Sequence, residues 1–163
     1  MIRPTHPDET AHLMEIARGT KVFKPIEIEA LQEVLDDYHK GNFHLGHQAL
    51  TFEQDGKAFG FAYFAPTPMT DGTWHLYWIF VDKQTQAKGI GAQLLKYAED
   101  HITRIGGRLF VIETSSLPSY DLTLKFYLKY NYDQAGTIRD FYADGDDQVL
   151  FRKHLRAAKA KSH

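Results

Sequence analysis

The segment Trp78-Ile79-Phe80-Val81-Asp82-Lys83-Gln84-Thr85-Gln86-Ala87-Lys88-Gly89-Ile90-Gly91-Ala92 passes from an apolar stretch, through a polar loop, straight into a helical pattern. Its first part reads as a strand. Downstream, Ile90, Leu94, Leu95, Ala98, Ile102 and Ile105 share one helical face, which ends at Gly106-Gly107. The first amides of a helix have no internal partner and, with the helix dipole, favour an anion. Gly89 and Gly91 let backbone approach a phosphate closely, Lys88 adds positive charge, and Gln86 adds a neutral donor. Two other phosphate motifs fail on spacing. The dinucleotide fingerprint requires glycine where Leu94 stands, and the Walker run Gly-Lys-Ser/Thr is absent. Taken alone, Gly-x-Gly is also an ordinary helix start in which glycine serves loop flexibility.

Working outward, Thr5-x-x-Asp8 resembles a capping box and precedes Ala11, Leu13, Met14, Ile16 and Ala17, which predicts an early helix. Ile28, Leu31, Val34, Leu35 and Tyr38 predict a second helix, stopped by Gly41-Asn42. From Leu45 the period shortens. The runs 49–52, 59–64 and 74–81 read as a three-strand antiparallel meander joined by Asp55-Gly56 and the Pro66 to Gly72 turns. After the central helix come an apolar strand at 109–113, a helix at 122–130 stopped by Asn131, and strands near 135–141 and 148–155. This order predicts a single-domain α/β fold with a mixed central sheet flanked by helices, over residues 1–155, and a short basic tail at 156–163.

Composition narrows the chemistry. The 163 residues include no cysteine, which removes disulfide frameworks, thiolate metal sites and cysteine nucleophiles. Lys plus Arg number 19 against 21 Asp plus Glu, so nothing pulls the chain towards nucleic acid or anionic lipid, and no apolar run would span a membrane. No basic region followed by an apolar stretch opens the chain, which makes the cytoplasm the expected compartment. No metal site is expected. His44-x-x-His47, read as part of a strand, would point to opposite faces, and Asp144 to Asp147 around Gly145 reads as a polar hairpin turn.

Gln86-Ala87-Lys88-Gly89-Ile90-Gly91-Ala92 resembles the Gln/Arg-x-x-Gly-x-Gly/Ala signature of the GNAT superfamily of acyl-CoA-dependent N-acetyltransferases. Phe126-Tyr127-Leu128-Lys129-Tyr130-Asn131-Tyr132 resembles that family's Phe-Tyr-x-Lys-x-Gly-Phe/Tyr helix ending, with Asn131 in place of glycine. The order of elements agrees over nearly the whole chain. The resemblance implies acetyl-CoA as cosubstrate and an amine as acceptor. Its pyrophosphate would lie over Gln86, Ala87, Lys88, Gly89, Ile90, Gly91 and Ala92. Its pantetheine arm would pair with the strand edge at Phe80 and Val81, where that strand splays from 109–113. Tyr120 stands where many members carry an asparagine that contacts the cofactor, and its hydroxyl is the expected substitute.

For catalysis, the resemblance assigns Tyr127 the proton donated to the departing thiolate; the alternative is plain aromatic packing with Phe126 and Tyr130. An alkylamine is mostly protonated at neutral pH, so a base is useful. His75 falls where some relatives carry their glutamate and, by strand alternation, faces away from Trp74 and Leu76. Its alternative is an ordinary polar strand residue, and Glu113 is the competing carboxylate. Phe23 is either an acceptor contact or a core anchor. A non-catalytic acyl-CoA sensor and a nucleotide- or phosphate-binding protein remain alternatives. The acceptor is not legible, and monomer and homodimer both stay open.

Overall fold

A computed structural model describes residues 1–156, the side chains of Gln86 and Ala87 apart. The expected basic tail therefore lies, from residue 157 on, outside the described residues. The elements are β1 (Ile2–Pro4), α1 (Thr10–Gly19), α2 (Pro25–Lys40), β2 (Gln48–Gln54), β3 (Lys57–Pro66), β4 (Thr73–Val81), α3 (Ile90–Arg104), β5 (Leu109–Ser115), α4 (Asp121–Lys129), β6 (Asp133–Ala143) and β7 (Asp146–His154). The fold is α/β, with a mixed seven-stranded sheet ordered β1-β2-β3-β4-β5-β7-β6. The chain divides into two compact units, one of Met1–Ala65 with Leu76–Ala98, the other of Pro66–His75 with the residues from Glu99 onward. Among the described residues no helix is long and apolar enough to cross a membrane.

In the first unit, α1 buries Leu13, Met14, Ile16 and Ala17, and α2 buries Ile28, Leu31 and Leu35. These side chains form one core with Ala49, Ala58, Phe61, Tyr63 and Phe80, against which Phe23 and Trp78 pack. Each fully buried leucine or isoleucine stabilises by about 1.5–3 kcal/mol, so this cluster outweighs any local propensity. Phe23 meets Trp78 at 5.3 Å and Phe80 at 6.0 Å between ring centroids, which makes it a core anchor in this unit.

The sequence pattern misplaced the first helix start. Thr5 is not a cap: its amide bonds to Ala49 O at 2.9 Å and its buried hydroxyl meets Thr51 Oγ1 at 2.8 Å. The chain before it forms β1, a strand the pattern did not reveal, paired antiparallel with β2. The capping contact falls one residue later, where Glu9 Oε2 accepts the His6 amide at 2.7 Å. Glu9 also takes the Arg3 guanidinium in a fork at 2.7 and 3.0 Å. Burial alone would raise the Glu9 carboxyl, but Arg3 and the His6 amide hold it below its usual range. The His44/His47 reading also changes. His44 sits in a short 3-10 turn, Asn42–Leu45, and His47 precedes β2, where its Nδ1 meets Tyr63 OH at 2.6 Å.

The second unit pairs β7 antiparallel with both β5 and β6. The β6–β7 turn is the expected polar hairpin: Gly145 has φ +80°, and Asp140 Oδ1 accepts its amide at 2.8 Å. Asp146 is the exception to that polar reading, being buried and accepting a hydrogen bond from Ser115 Oγ. At the end of α4, Asn131 adopts φ +69°, as the helix-stop reading expects, and the Tyr132 amide returns to Tyr127 O at 3.0 Å. Tyr132 OH then donates to Glu99 at 2.8 Å, and Lys153 Nζ donates to Glu99 at 3.0 Å and to Tyr130 O at 3.1 Å. Trp74 is buried, with His101 at 6.1 Å between ring centroids.

Gly60 of β3 fixes how α3 begins. A Cβ there would stand 3.0 Å from both Ile90 Cγ2 and Leu94 Cδ1, so the absent side chain lets the helix seat on the strand. Gly60→Val forces two further carbons into that contact. The expected cost is about 1–3 kcal/mol of stability, measured by urea unfolding followed by circular dichroism.

Candidate active site

Residues 81–92 lie in the first unit and form a more ordered junction than a loop reading suggests. After β4, Asp82 caps a 3-10 helix, Lys83–Lys88, by accepting the Gln84 amide on Oδ1 at 2.9 Å. Thr85 turns inward and returns its amide and hydroxyl to Asp82 O at 2.9 and 3.0 Å. The register between β2 and β3 slips at Phe52/Glu53, leaving Phe59 as an extra residue, and Phe59 O takes the Asp82 amide at 2.7 Å.

Gly89 then adopts φ +73°, which costs a side-chain-bearing residue roughly 1–2 kcal/mol. Nothing lies within 4 Å of where its Cβ would be, so the backbone angle sets the requirement for glycine. The ladder of α3 opens with Gln93 N to Gly89 O at 3.1 Å, and no acidic residue occupies the first turn. The amides before that rung have no partner inside the helix and suit an anion. Lys88 and Gly89 are exposed, Ile90 is buried, Gly91 and Ala92 are half-buried, and Phe80 and Val81 are buried. The Gln86 and Ala87 side chains named from the signature lie outside the described residues. Beside the junction, Asp82, Lys83 and Gln84 line a groove of about 550 Å³ with His12, Glu15, Ile16 and Gly19 of α1, of which His12 and Glu15 carry no signal in the sequence.

The other candidates lie in the second unit. His75 is half-buried between buried Trp74 and Leu76, which agrees with the alternation read from the sequence. The two residues first weighed as rival bases are neighbours: His75 Nε2 is 3.3 Å from Glu113 Oε1. Sequence reasoning missed a third member. Gln148 of β7, buried, donates from Nε2 to Glu113 Oε2 at 3.0 Å. Burial lowers the His75 imidazole below the ordinary histidine value, and the Glu113 carboxylate acts in the opposite direction without cancelling it. The shift favours the neutral imidazole.

Tyr127 is 3% exposed and ringed by Phe126, Phe151 and Tyr132 at 5.5, 5.6 and 5.8 Å between centroids. Burial pushes its hydroxyl above the ordinary tyrosine range, so it holds its proton at any physiological pH. The packing that the sequence offered as an alternative is thus present, and it is compatible with a proton donor. Tyr120 is buried at the end of a 3-10 turn, Pro118–Tyr120, immediately before α4. Among the described residues no group of three or more His, Asp or Glu could hold a metal ion.

The chain belongs to the Acetyltransferase (GNAT) family, whose sequence model matches residues 11–132. A GNAT-family protein from Desulfovibrio desulfuricans superposes with a TM-score of 0.90 at 29% identity, over 96% of this chain and 99% of that one. An aminoglycoside 6'-N-acetyltransferase complexed with coenzyme A superposes at 0.77 with 15% identity, covering 98% and 99% of the two chains. The yncA protein of Salmonella typhimurium with its cofactor acetyl-CoA gives 0.74 at 17% identity, covering 99% and 97%. At those identities the last two speak for the fold. No curated protein matches the chain.

Proton titration of His75 tests the electrostatics directly. Followed by NMR of its ring protons, His75 should titrate below the ordinary histidine value of about 6.5. Glu113→Gln should lower the midpoint further, because the carboxylate favours the imidazolium.

Proposed function

We propose that this protein is an acetyl-CoA-dependent N-acetyltransferase that acylates a primary amine by direct attack within a ternary complex, and that residues 1–155 carry the activity. The observation that carries this reading is the His75–Glu113 pair, 3.3 Å apart, in a chain of the GNAT family. When bound, acetyl-CoA supplies the acetyl group as a thioester. Gln86 to Ala92 hold its pyrophosphate with backbone amides and the Lys88 charge, and Phe80 and Val81 offer backbone to its pantetheine arm. The left-handed Gly89 and the acid-free first turn of α3 fit that role. Tyr120 supplies a further contact.

His75 takes the proton of the incoming ammonium. Its Nε2 faces Glu113, which favours the tautomer protonated there. The amine nitrogen then bonds to the acyl carbon, and the carbon–sulfur bond breaks as Tyr127 gives its proton to the departing sulfur. The nitrogen loses its second proton to leave the neutral amide, and that proton restores the Tyr127 hydroxyl while His75 releases its own to solvent. Because burial lowers the His75 ionisation, the base form persists somewhat below pH 6.5. The rate at saturating acetyl-CoA should rise with pH through that ionisation and level off above it.

Three substitutions separate binding from chemistry. Gly91→Val, which adds bulk at the first turn of α3, should sharply weaken coenzyme A binding by calorimetry while the circular dichroism spectrum is retained. Lys88→Ala should do less, since Lys88 is exposed and salt screens its charge.

Tyr127→Phe keeps the ring and should preserve coenzyme A affinity, while turnover falls by on the order of 10²–10⁴, the usual contribution of a general acid. The primary test is release of free thiol from acetyl-CoA on adding a panel of amines. Binding of coenzyme A without thiol release for any amine would favour a sensor instead.

A further inference from the structure

The amide of Gln148 sits where the pairing of β5 with β7 brings it against Glu113. Glu113 stands opposite Leu150, and Gln148 lies two residues along β7 on the same face. A diagonal neighbour at that spacing is within reach of a long side chain. We infer that Gln148 is a positioning residue for the proton-accepting pair, its buried amide holding Glu113 so that the carboxylate meets His75. This inference rests on the reading of His75 as the base.

Each carboxylate oxygen has one partner in this arrangement. Oε2 accepts from Gln148 at 3.0 Å, and Oε1 lies 3.3 Å from His75 Nε2. The Glu113 side chain is 39% exposed, so packing alone does not fix its torsions. Gln148 is 4% exposed, so its amide requires a partner inside the protein and its own position is set. The strand ends around it are tied as well. Ser115, its direct partner across the ladder, donates to Asp146 and accepts from the Leu117 amide at 3.1 Å.

The residue type matters. A lysine or arginine at 148 would compete with the imidazolium for the same carboxylate, whereas a neutral amide orients Glu113 and leaves its charge to His75. Glu113, on β5, is a charged group that acts on His75, and β7 contributes the uncharged Gln148 to this cluster.

The test compares Gln148→Met, which keeps length and removes the donor, with Glu113→Gln and with the double variant. The readout is the His75 ring-proton titration by NMR, on the full chain without substrate. Glu113→Gln should lower the His75 midpoint. Gln148→Met should lower it in the same direction, and in the double variant Gln148→Met should add nothing further. Gln148→Asn, which withdraws the amide by one methylene, should reproduce the shift and serves if the methionine variant loses its cooperative melt.

A His75 midpoint unchanged in both Gln148 variants overturns the inference. So does a Gln148→Met shift of equal size with and without Glu113. The acid limb of any measured rate profile should move with the titration. If the titrations shift as expected while no amine is acetylated, the positioning role stands and the reading of function is what fails.

Discussion

Two adjacent residues of β3 hold the junction on which the first unit's chemistry depends. Phe59, extruded from the β2–β3 ladder, gives its carbonyl to the Asp82 amide, and Gly60 leaves room for Ile90 and Leu94. One contact fixes where the chain leaves β4; the other fixes where α3 begins. Between these points the chain closes a 3-10 helix and turns through Gly89 at φ +73°, so the first amides of α3 are presented by a braced segment. On the proposed reading, a bound pyrophosphate would meet a segment with little reorganisation left to do.

The second unit uses polar contacts for the same purpose. Glu99, Tyr132 and Lys153 bind one another and Tyr130 O, which anchors the chain as it leaves α4. The Tyr132 amide returns to Tyr127 O, so that anchor passes directly to the residue assigned as proton donor. Lys153 is partly exposed and its charge is shared between a carboxylate and a carbonyl, an arrangement that favours orientation over net stability.

How far the sequence could be read depended on the range of the interactions. Helical faces, the αL stop at Asn131 and the strand-to-helix junction are set by neighbours a few residues apart, and each was visible. Thr5 misled because its hydroxyl is satisfied by Thr51, a partner in another strand, and local pattern cannot report that. The 3-10 helix at 83–88 was hidden because its polar residues also suit an open loop. His75 and Glu113 were both singled out, but as rivals; only the sheet shows them to be a pair. Gln148 had no signal at all, since a glutamine in a strand acquires meaning only from the register that sets it beside Glu113.

The two tryptophans fall one to each unit. Trp78 packs in the aromatic core with Phe23, and Trp74 lies under the end of α3 near His101. Indole emission responds to the polarity around the ring and is quenched by a nearby imidazolium. Replacing either tryptophan by phenylalanine leaves a single fluorophore in a chain that has only these two. Coincident or separate fluorescence transitions in the two single-tryptophan proteins then reveal whether the units melt as one cooperative body or in succession.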